Sequence, residues 1–580
     1  MIKYFSNKDI AEILRSVAAA YEVKNGSYFK IAAYQNAADS IEHATSELKD
    51  LWDDNKLNTV PGLGKSIQLH LEELFQTGQV KHFQEVKKGL PDVMFALLDI
   101  GGMGPKTAYK LTKALKIKNV TDLEEKARAG KIRNLSGFGE KSEQDIIDSI
   151  MRFRQRSNRY LLTEAFPIAQ RVLEYLIQFP ECQRVETLGS LRRMVTTVGD
   201  IDIAVASNNP KSVISHFAKF KEVSRVLDEG ERKSSIILKN GMQIDLMVQP
   251  PEAFGALLQH FTGSKNHNIH LREIAHKKGL SLSEYGIKVK GKLKKFRLEE
   301  EFYKFLNLDW IEPELREDNG EIESAVSHTL PKLVTIGDIK GDIHLHSNFP
   351  IEPSHDLGTA SFKEILDKGR NLCYEYIGFS DHSPSYSNHT INEIIDLIKK
   401  RTKVIEQIKD SEKNVRILNL LEIDILANGK LSVSDKGLKN LDGAIAGIHS
   451  SHNQDKETIT NRLLTAINSP YVQIISHPTG RLIMQRESYE ADWPVIFEAC
   501  QKTGTILEIN AWPSRMDLPD ILVYEAIKKG VKLIINSDSH AIEHMDNLKY
   551  GVSVARRGWA TAKDIVNTYP WVEFRKIFNV

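Results

Sequence analysis

Val185–Asp202 reads V-E-T-L-G-S-L-R-R-M-V-T-T-V-G-D-I-D and continues into the apolar run I-A-V-A. This pattern predicts a strand, a Gly-Ser turn, a short basic segment and a second strand beginning at Asp200. Residues two apart in a strand share a face. Asp200 and Asp202 therefore point the same way, while Ile201, Ile203 and Val205 face a core. Adjacent carboxylates repel each other unless a cation lies between them. A third acid, Asp245, comes from another apolar strand, M-Q-I-D-L-M-V. Three oxygen ligands suit Mg²⁺ or Mn²⁺. Gly189 and Ser190 offer amides and a hydroxyl, and Arg192 and Arg193 add positive charge, a set able to grip a triphosphate.

Working outward, 580 residues are too many for one core, so several domains are expected. The hydrophobic content of 41% and charged content of 27% are those of a soluble globular chain. The net charge of +1 does not announce a nucleic-acid binder, but Gly101–Tyr160 carries 14 Lys+Arg against 7 Asp+Glu. Cys182, Cys373 and Cys500 are far apart and odd in number, which argues for a reducing compartment. No signal-like or membrane-spanning run is seen, so a cytoplasmic, nucleoid-associated protein is expected.

That basic region holds two of three similar hairpins: T-V-P-G-L-G-K-S-I, D-I-G-G-M-G-P-K-T-A and L-S-G-F-G-E-K-S. Each pairs two glycines (Gly62/Gly64, Gly102/Gly104, Gly137/Gly139) with a lysine (Lys65, Lys106, Lys141). Glycine permits the tight turn and leaves helix N-terminal amides open to a phosphate. The three resemble helix-hairpin-helix elements, which grip a DNA backbone without reading sequence. Upstream, Phe29, Ile31, Tyr34 and Ala38 suggest an amphipathic helix.

In the C-terminal part apolar strands end one after another in metal-type ligands: G-D-I-H-L-H (His344, His346), F-S-D-H (His382), L-L-E-I-D (Glu422), A-G-I-H-S (His449), I-I-S-H-P (His477), L-E-I-N and I-N-S-D-S-H (Asp538, His540). The spacing is that of βα units, which would bring these strand ends to one face of a barrel. Histidines and carboxylates in this number can hold two or three Mn²⁺, Zn²⁺ or Fe ions, and clustered metals point to phosphoester hydrolysis.

G-S, then D-x-D ten residues on, then a third acid in a later strand is the pattern of nucleotidyltransferases. With Q-I-D-L and F-T-G-S-K-N-H-N…R, the first part resembles family X DNA polymerases, including their beta-like members. The resemblance implies that Asp200 and Asp202 bridge two metals and that Asp245 helps activate the primer hydroxyl. It implies that Gly189, Ser190 and Arg193 hold the triphosphate, that Phe261, Gly263 and Asn268 line the sugar and base site, and that Arg272 senses the template side. His260 stands where beta-like members have Tyr, so ribonucleotide exclusion is expected to differ. His70 occupies the Schiff-base lysine position and Ser66 a phosphate-binding one. An imidazole cannot form that adduct, so weak or absent lyase activity is expected.

The second part resembles PHP (polymerase and histidinol phosphatase) domains. Their ligand in a Ser-Asp-Gly segment is displaced here within N-F-P-I-E-P-S-H-D-L-G; Asp356 is the candidate and Glu352 the runner-up. Arg481 and Asn510 are taken as phosphate contacts. The whole chain resembles the bacterial-type PolX fusion. The expected domains are a helical region at 1–85, a helix-hairpin-helix domain at 86–160 and an α+β palm at 161–253. A thumb-like domain at 254–310, a linker at 311–338 and a (β/α)7-type PHP barrel at 339–580 follow. The expected protein is a monomer that takes gapped or primer-template DNA and deoxynucleoside triphosphates, fills short gaps and trims 3′ ends. Two other readings are a DNA-end-binding scaffold with one working site, and a template-independent nucleotidyltransferase.

Overall fold

The structure, a computed structural model, describes residues 5, 7–42, 48–53, 57–60, 62–100, 102–155 and 159–578. It forms two compact units, Met1–Arg159 and Tyr160–Val580.

The first unit is helical among its described residues. Its helix Tyr28–Glu42 buries Tyr34, Ala37, Ala38 and Ile41, a 3.6-residue stripe. Phe29, expected in that stripe, is instead 82% exposed, because it lies off this face in the first turn. The three hairpins share one backbone plan. Gly62, Gly102 and Gly137 have φ of 77°, 82° and 82°, the left-handed region where a side chain is strained. Gly64 and Gly104 are extended and cap the helices Lys65–Thr77 and Pro105–Leu115; Gly139 precedes Glu140–Gln155.

The second unit begins with a five-stranded sheet: β1 (Arg184–Thr187), β2 (Ile201–Ala206), β3 (Val223–Glu229), β4 (Lys233–Leu238) and β5 (Gln243–Gln249), in the order β1-β2-β5-β4-β3. β2 is buried on both faces. Ile201, Ile203 and Val205 join one core, while Ala204 and Ala206 pack with Phe254, Leu257 and Leu258 in another. Two details depart from expectation. Gly189–Arg192 is a single helical turn rather than a Gly-Ser turn, and β2 starts at Ile201, so Asp200 stands just ahead of it.

Helices Phe254–Thr262 and Lys265–Lys277 and a small antiparallel sheet follow. Residues 311–338 are not a free linker. Arg316 and Glu321 are fully buried there. Arg316 donates to Glu299 at 2.6 Å, and Glu321 pairs with His267 at 2.6 Å. The polar composition that suggested a linker is an internal network in which each buried charge has a partner.

The barrel strands are β6 (Gly341–Leu345), β7 (Tyr376–Phe379), β8 (Arg416–Asp424), β9 (Gly443–Gly447), β10 (Val472–Ile475), β11 (Ile506–Asn510) and β12 (Leu533–Asn536). They are parallel and adjacent in sequence order. A bridge between Leu345 and Ser539 brings last against first, and His346 N donates to the Ser539 carbonyl at 2.8 Å. The result is a nearly closed (β/α)7 barrel. Its strands read as continuous apolar runs because both faces are covered.

Barrel and thumb are tied by arginines of the helix Leu548–Arg557. Arg556 pairs with Glu314 at 2.7 Å, and Arg557 pairs with Glu317 at 2.9 Å and donates to the Arg193 carbonyl at 3.0 Å.

Candidate active sites

In the palm, β2 and β5 are parallel neighbours whose register sets Asp202 directly across from Asp245. With Asp200, one oxygen from each carboxylate lies within 4.8 Å of the others. Burial raises the Asp202 pKa well above the usual carboxylate range, and the charges of Asp200 and Asp245 raise it further. Such a cluster fits a divalent cation, which would remove the repulsion. Gln243 Nε2 donates to both oxygens of Asp245, at 3.1 and 3.0 Å, and holds it in place. Gly189 has φ of 57°, and a Cβ there would lie 2.6 Å from Asp202 Oδ2, so only glycine lets the backbone approach the carboxylates.

Both arginines of the pair are held by a glutamate and by Thr262. Arg192 is spent on structure: it donates to Thr262 Oγ1 at 2.6 Å and to Glu299 at 3.1 and 2.9 Å. Arg193 sits beside Gly263, paired with Glu317 at 3.0 Å and donating to the Thr262 carbonyl. Asn268 is tied to the preceding helix, donating to the His260 carbonyl at 2.7 Å and accepting from Gln259 at 2.8 Å. Burial, then Arg272 and Lys233, lower the His260 pKa to about 3, so its ring is neutral. Lys233 was not anticipated; it lies 5.3 Å from the Phe261 ring centroid, and its charge reaches Asp202.

At the barrel mouth the strand ends converge as the spacing implied. His344, His346, Glu422 and Asp538 form one group, His346, His382 and His540 a second, and His382, Glu422 and His449 a third, each within 4.8 Å. His477 Nε2 lies 3.0 Å from Glu422 Oε1. Buried ring nitrogens of His344, His346, His382, His477 and His540 lack a hydrogen-bond partner among the described residues. Orphaned imidazole nitrogens gathered around two carboxylates are a donor set for metal ions.

Burial alone would lower the His344 pKa, but Glu508, Glu422 and Asp538 raise it well above the usual value. Burial acts against the Glu422 carboxylate, yet His344, His449 and His382 hold its pKa well below the ordinary range. His477 and Asp538 have φ of 30° and 53°, in the left-handed region that side-chain-bearing residues seldom adopt. Asp356 Oδ atoms lie 3.7 Å from His382 and 3.6 Å from His540, whereas Glu352 turns outward to His389 at 2.9 Å.

Known proteins can be set beside this geometry. The description "DNA polymerase beta thumb" matches residues 257–317, "Helix-hairpin-helix domain" matches 5–80, and "SAM-like Helix-hairpin-helix tandem" matches 95–152. The DNA polymerase/3′-5′ exonuclease PolX of Bacillus subtilis (strain 168) is 35% identical over 564 residues, 97% of each chain. The chain belongs to the PolX family. The C-terminal region is also similar to probable phosphatases. One, of Thermoanaerobacter sp. (strain X514), is 26% identical over 39% of this chain and 89% of its own; another, of Caldanaerobacter subterraneus, is 29% identical over 34% and 75%.

Within this PolX chain two expected phosphate contacts need correction. Arg481 points away from the cluster and clamps the carbonyls of Arg515, at 2.9 Å, and Met516. Asn510 is fully buried, and its amide donates to Glu508 and Asp538, both at 3.0 Å. The cavity cations are instead Arg486 and Arg515, the latter 3.8 Å from Asp538. Sequence reasoning also missed the carboxylates behind the histidines. Glu508 lies 2.7 Å from His344 Nδ1, and Asp424 lies 2.7 Å from His449 Nδ1 and 2.9 Å from His355. Such partners fix ring orientation. The signal was present, since Glu508 and Asp424 end the same strands as Asn510 and Glu422.

The hairpin residues Gly62, Gly64, Lys65, Gly102, Gly104, Lys106, Gly137, Gly139 and Lys141 are all exposed. Gly102, Lys106, Gly137 and Ser142 line a shared cleft of about 560 Å³. His70 accepts or donates a 3.1 Å hydrogen bond with Tyr34 and stacks on His82 at 4.8 Å. No helix among the described residues is long and apolar enough to cross a membrane.

Proposed function

We propose that this chain is a DNA repair polymerase that fills short gaps and trims 3′ ends, with one site for each task. The observation that carries this reading is the presence of two separate metal-type clusters in a PolX chain: three carboxylates on the palm sheet, and buried histidines with carboxylates at the barrel mouth. The proposed organisation is the sequence division 1–85, 86–160, 161–253, 254–310 and 339–580, with 311–338 assigned to the thumb rather than to a linker.

In the palm, Asp200, Asp202 and Asp245 would hold Mg²⁺ or Mn²⁺, which when bound neutralises charge on the transferring phosphoryl group. Gly189 and Ser190 cradle the triphosphate by their amides and hydroxyl, and Arg193 pairs with it. The primer 3′-oxygen attacks the α-phosphorus and pyrophosphate leaves. Asp245, braced by Gln243, faces that oxygen. Phe261, Gly263 and Asn268 line the sugar and base site and Arg272 the template side. The neutral, compact His260 in the sugar-gate position relaxes ribonucleotide exclusion.

In the barrel, His344, His346, Asp356, His382, Glu422, His449, His477, Asp538 and His540 would hold two or three Mn²⁺, Zn²⁺ or Fe ions, which when bound lower the pKa of an attacking water and polarise the phosphate. Arg515 and Arg486 take the non-bridging oxygens, and the terminal nucleotide leaves as a monophosphate. The three hairpins hold gapped or primer-template DNA by its backbone. The protein acts as a monomer in the cytoplasm, at the nucleoid. The scaffold reading with one dead site has less support, since Asp356 reaches the His346–His382–His540 group despite its displaced segment.

The test follows a 5′-labelled primer on gapped DNA with Mn²⁺, with and without deoxynucleotides. Lengthening with nucleotides and shortening without them is expected. A primer that neither lengthens with nucleotides nor shortens without them would overturn the reading.

A further inference from the structure

Part of the lining of the barrel cavity, about 280 Å³, lies outside the histidine and carboxylate cluster. The turn after β11 contributes Trp512 and Arg515 to it. Trp512 is half-buried and lines the cavity. Its ring stands edge-on to His540, with centroids 5.8 Å apart at 74°, and to His544, 4.8 Å apart at 85°.

The mounting is rigid and leads straight to the ligand cluster. Trp512 N donates to Asn510 Oδ1 at 2.9 Å, and Asn510 Nδ2 donates to Asp538 at 3.0 Å. The Trp512 carbonyl accepts from Arg515 N at 2.9 Å and Met516 N at 3.0 Å, while Arg481 clamps the next carbonyls from behind. One short turn thus brings an aromatic ring and a guanidinium to the lining of the same cavity. Hydrolysis of a bare phosphoester needs the cation and has no use for the ring. A nucleotide end uses both: phosphate on the cation, base on the ring.

We propose that Trp512 is the platform on which the base of the 3′-terminal nucleotide stacks, so that the barrel selects nucleotide ends over base-free phosphoesters. This rests on the 3′-trimming reading above. Trp512 is a specificity residue in this account; bond cleavage belongs to the ligand cluster.

The test uses the full-length chain with Mn²⁺ and two 5′-labelled single strands of equal length. One ends in an ordinary nucleotide, the other in a base-free tetrahydrofuran residue. In the wild type, KM for the base-free end is expected to exceed that for the ordinary end by about ten-fold or more, with kcat little changed. Trp512→Ala should raise KM for the ordinary end by a similar factor and bring the ratio near one. Trp512→Phe should keep most of the ratio. Gap filling by each preparation reports folding. A wild-type ratio near one, or a full ratio in Trp512→Ala, overturns the stacking role while 3′ trimming stands. No trimming of either end by the wild type overturns both.

Discussion

Glu299→Gln is the most informative single change in the thumb. The Glu299 carboxylate is 3% exposed and neutralises two arginines: Arg192 at 2.9 Å and Arg316 at 2.6 Å. It also accepts from Trp310 Nε1 at 3.0 Å. Burial opposes its ionisation, yet Arg316 and Arg192 hold the pKa down to about 2. Glutamine keeps the shape and removes the charge, leaving a fully buried Arg316 without a counter-ion. Breaking a buried pair this way costs about 3–5 kcal/mol. Because a unit of this kind is stable by only about 5–15 kcal/mol, the loss is large.

The sign with pH follows from the depressed pKa. The stabilisation is fully present above the unfolded carboxylate value of about 4.3 and fades as pH falls towards about 2. Hydrogen–deuterium exchange at neutral pH should show segment 299–325 opening about 100-fold or more faster in the variant. Thermal melts should show a deficit that narrows below about pH 4. Unchanged exchange at neutral pH, or a deficit independent of pH, would refute the charge argument.

Asp200→Asn should reduce gap filling on the order of 10³-fold and leave 3′ trimming intact, while His344→Ala should do the reverse; one variant silencing both activities would contradict separate sites. Lys106→Ala with Lys141→Ala should weaken DNA binding evenly across sequences and flatten the salt dependence by about one contact each, read by fluorescence anisotropy against salt. The protein should show little deoxyribose-phosphate lyase activity. A robust burst that His70→Ala abolishes would count against the imidazole argument.

Much was legible because a local rule left a mark. Gly-x-Gly before a lysine marked the hairpins, since glycine takes the left-handed turn at Gly62, Gly102 and Gly137 without side-chain strain. Apolar runs ending in His, Glu or Asp marked the barrel, because parallel strands covered on both faces read as continuous apolar stretches. Asp200 stands one residue ahead of β2 and still gathers with Asp202, and β2–β5 pairing supplies Asp245. By itself, then, the sequence determined the fold class and marked the acids and strand-end histidines that the fold gathers, because period and backbone strain are properties of neighbours in the chain.

Only tertiary structure decided where polar side chains outside those patterns turn. Arg481 and Arg515 both follow barrel strands, yet one clamps a loop and the other faces Asp538. Residues 311–338 look solvated until Glu299 and His267, distant in sequence, are brought against Arg316 and Glu321. A charged side chain carries no sign of whether water or a buried partner will satisfy it. That is set by which elements the fold packs beside it.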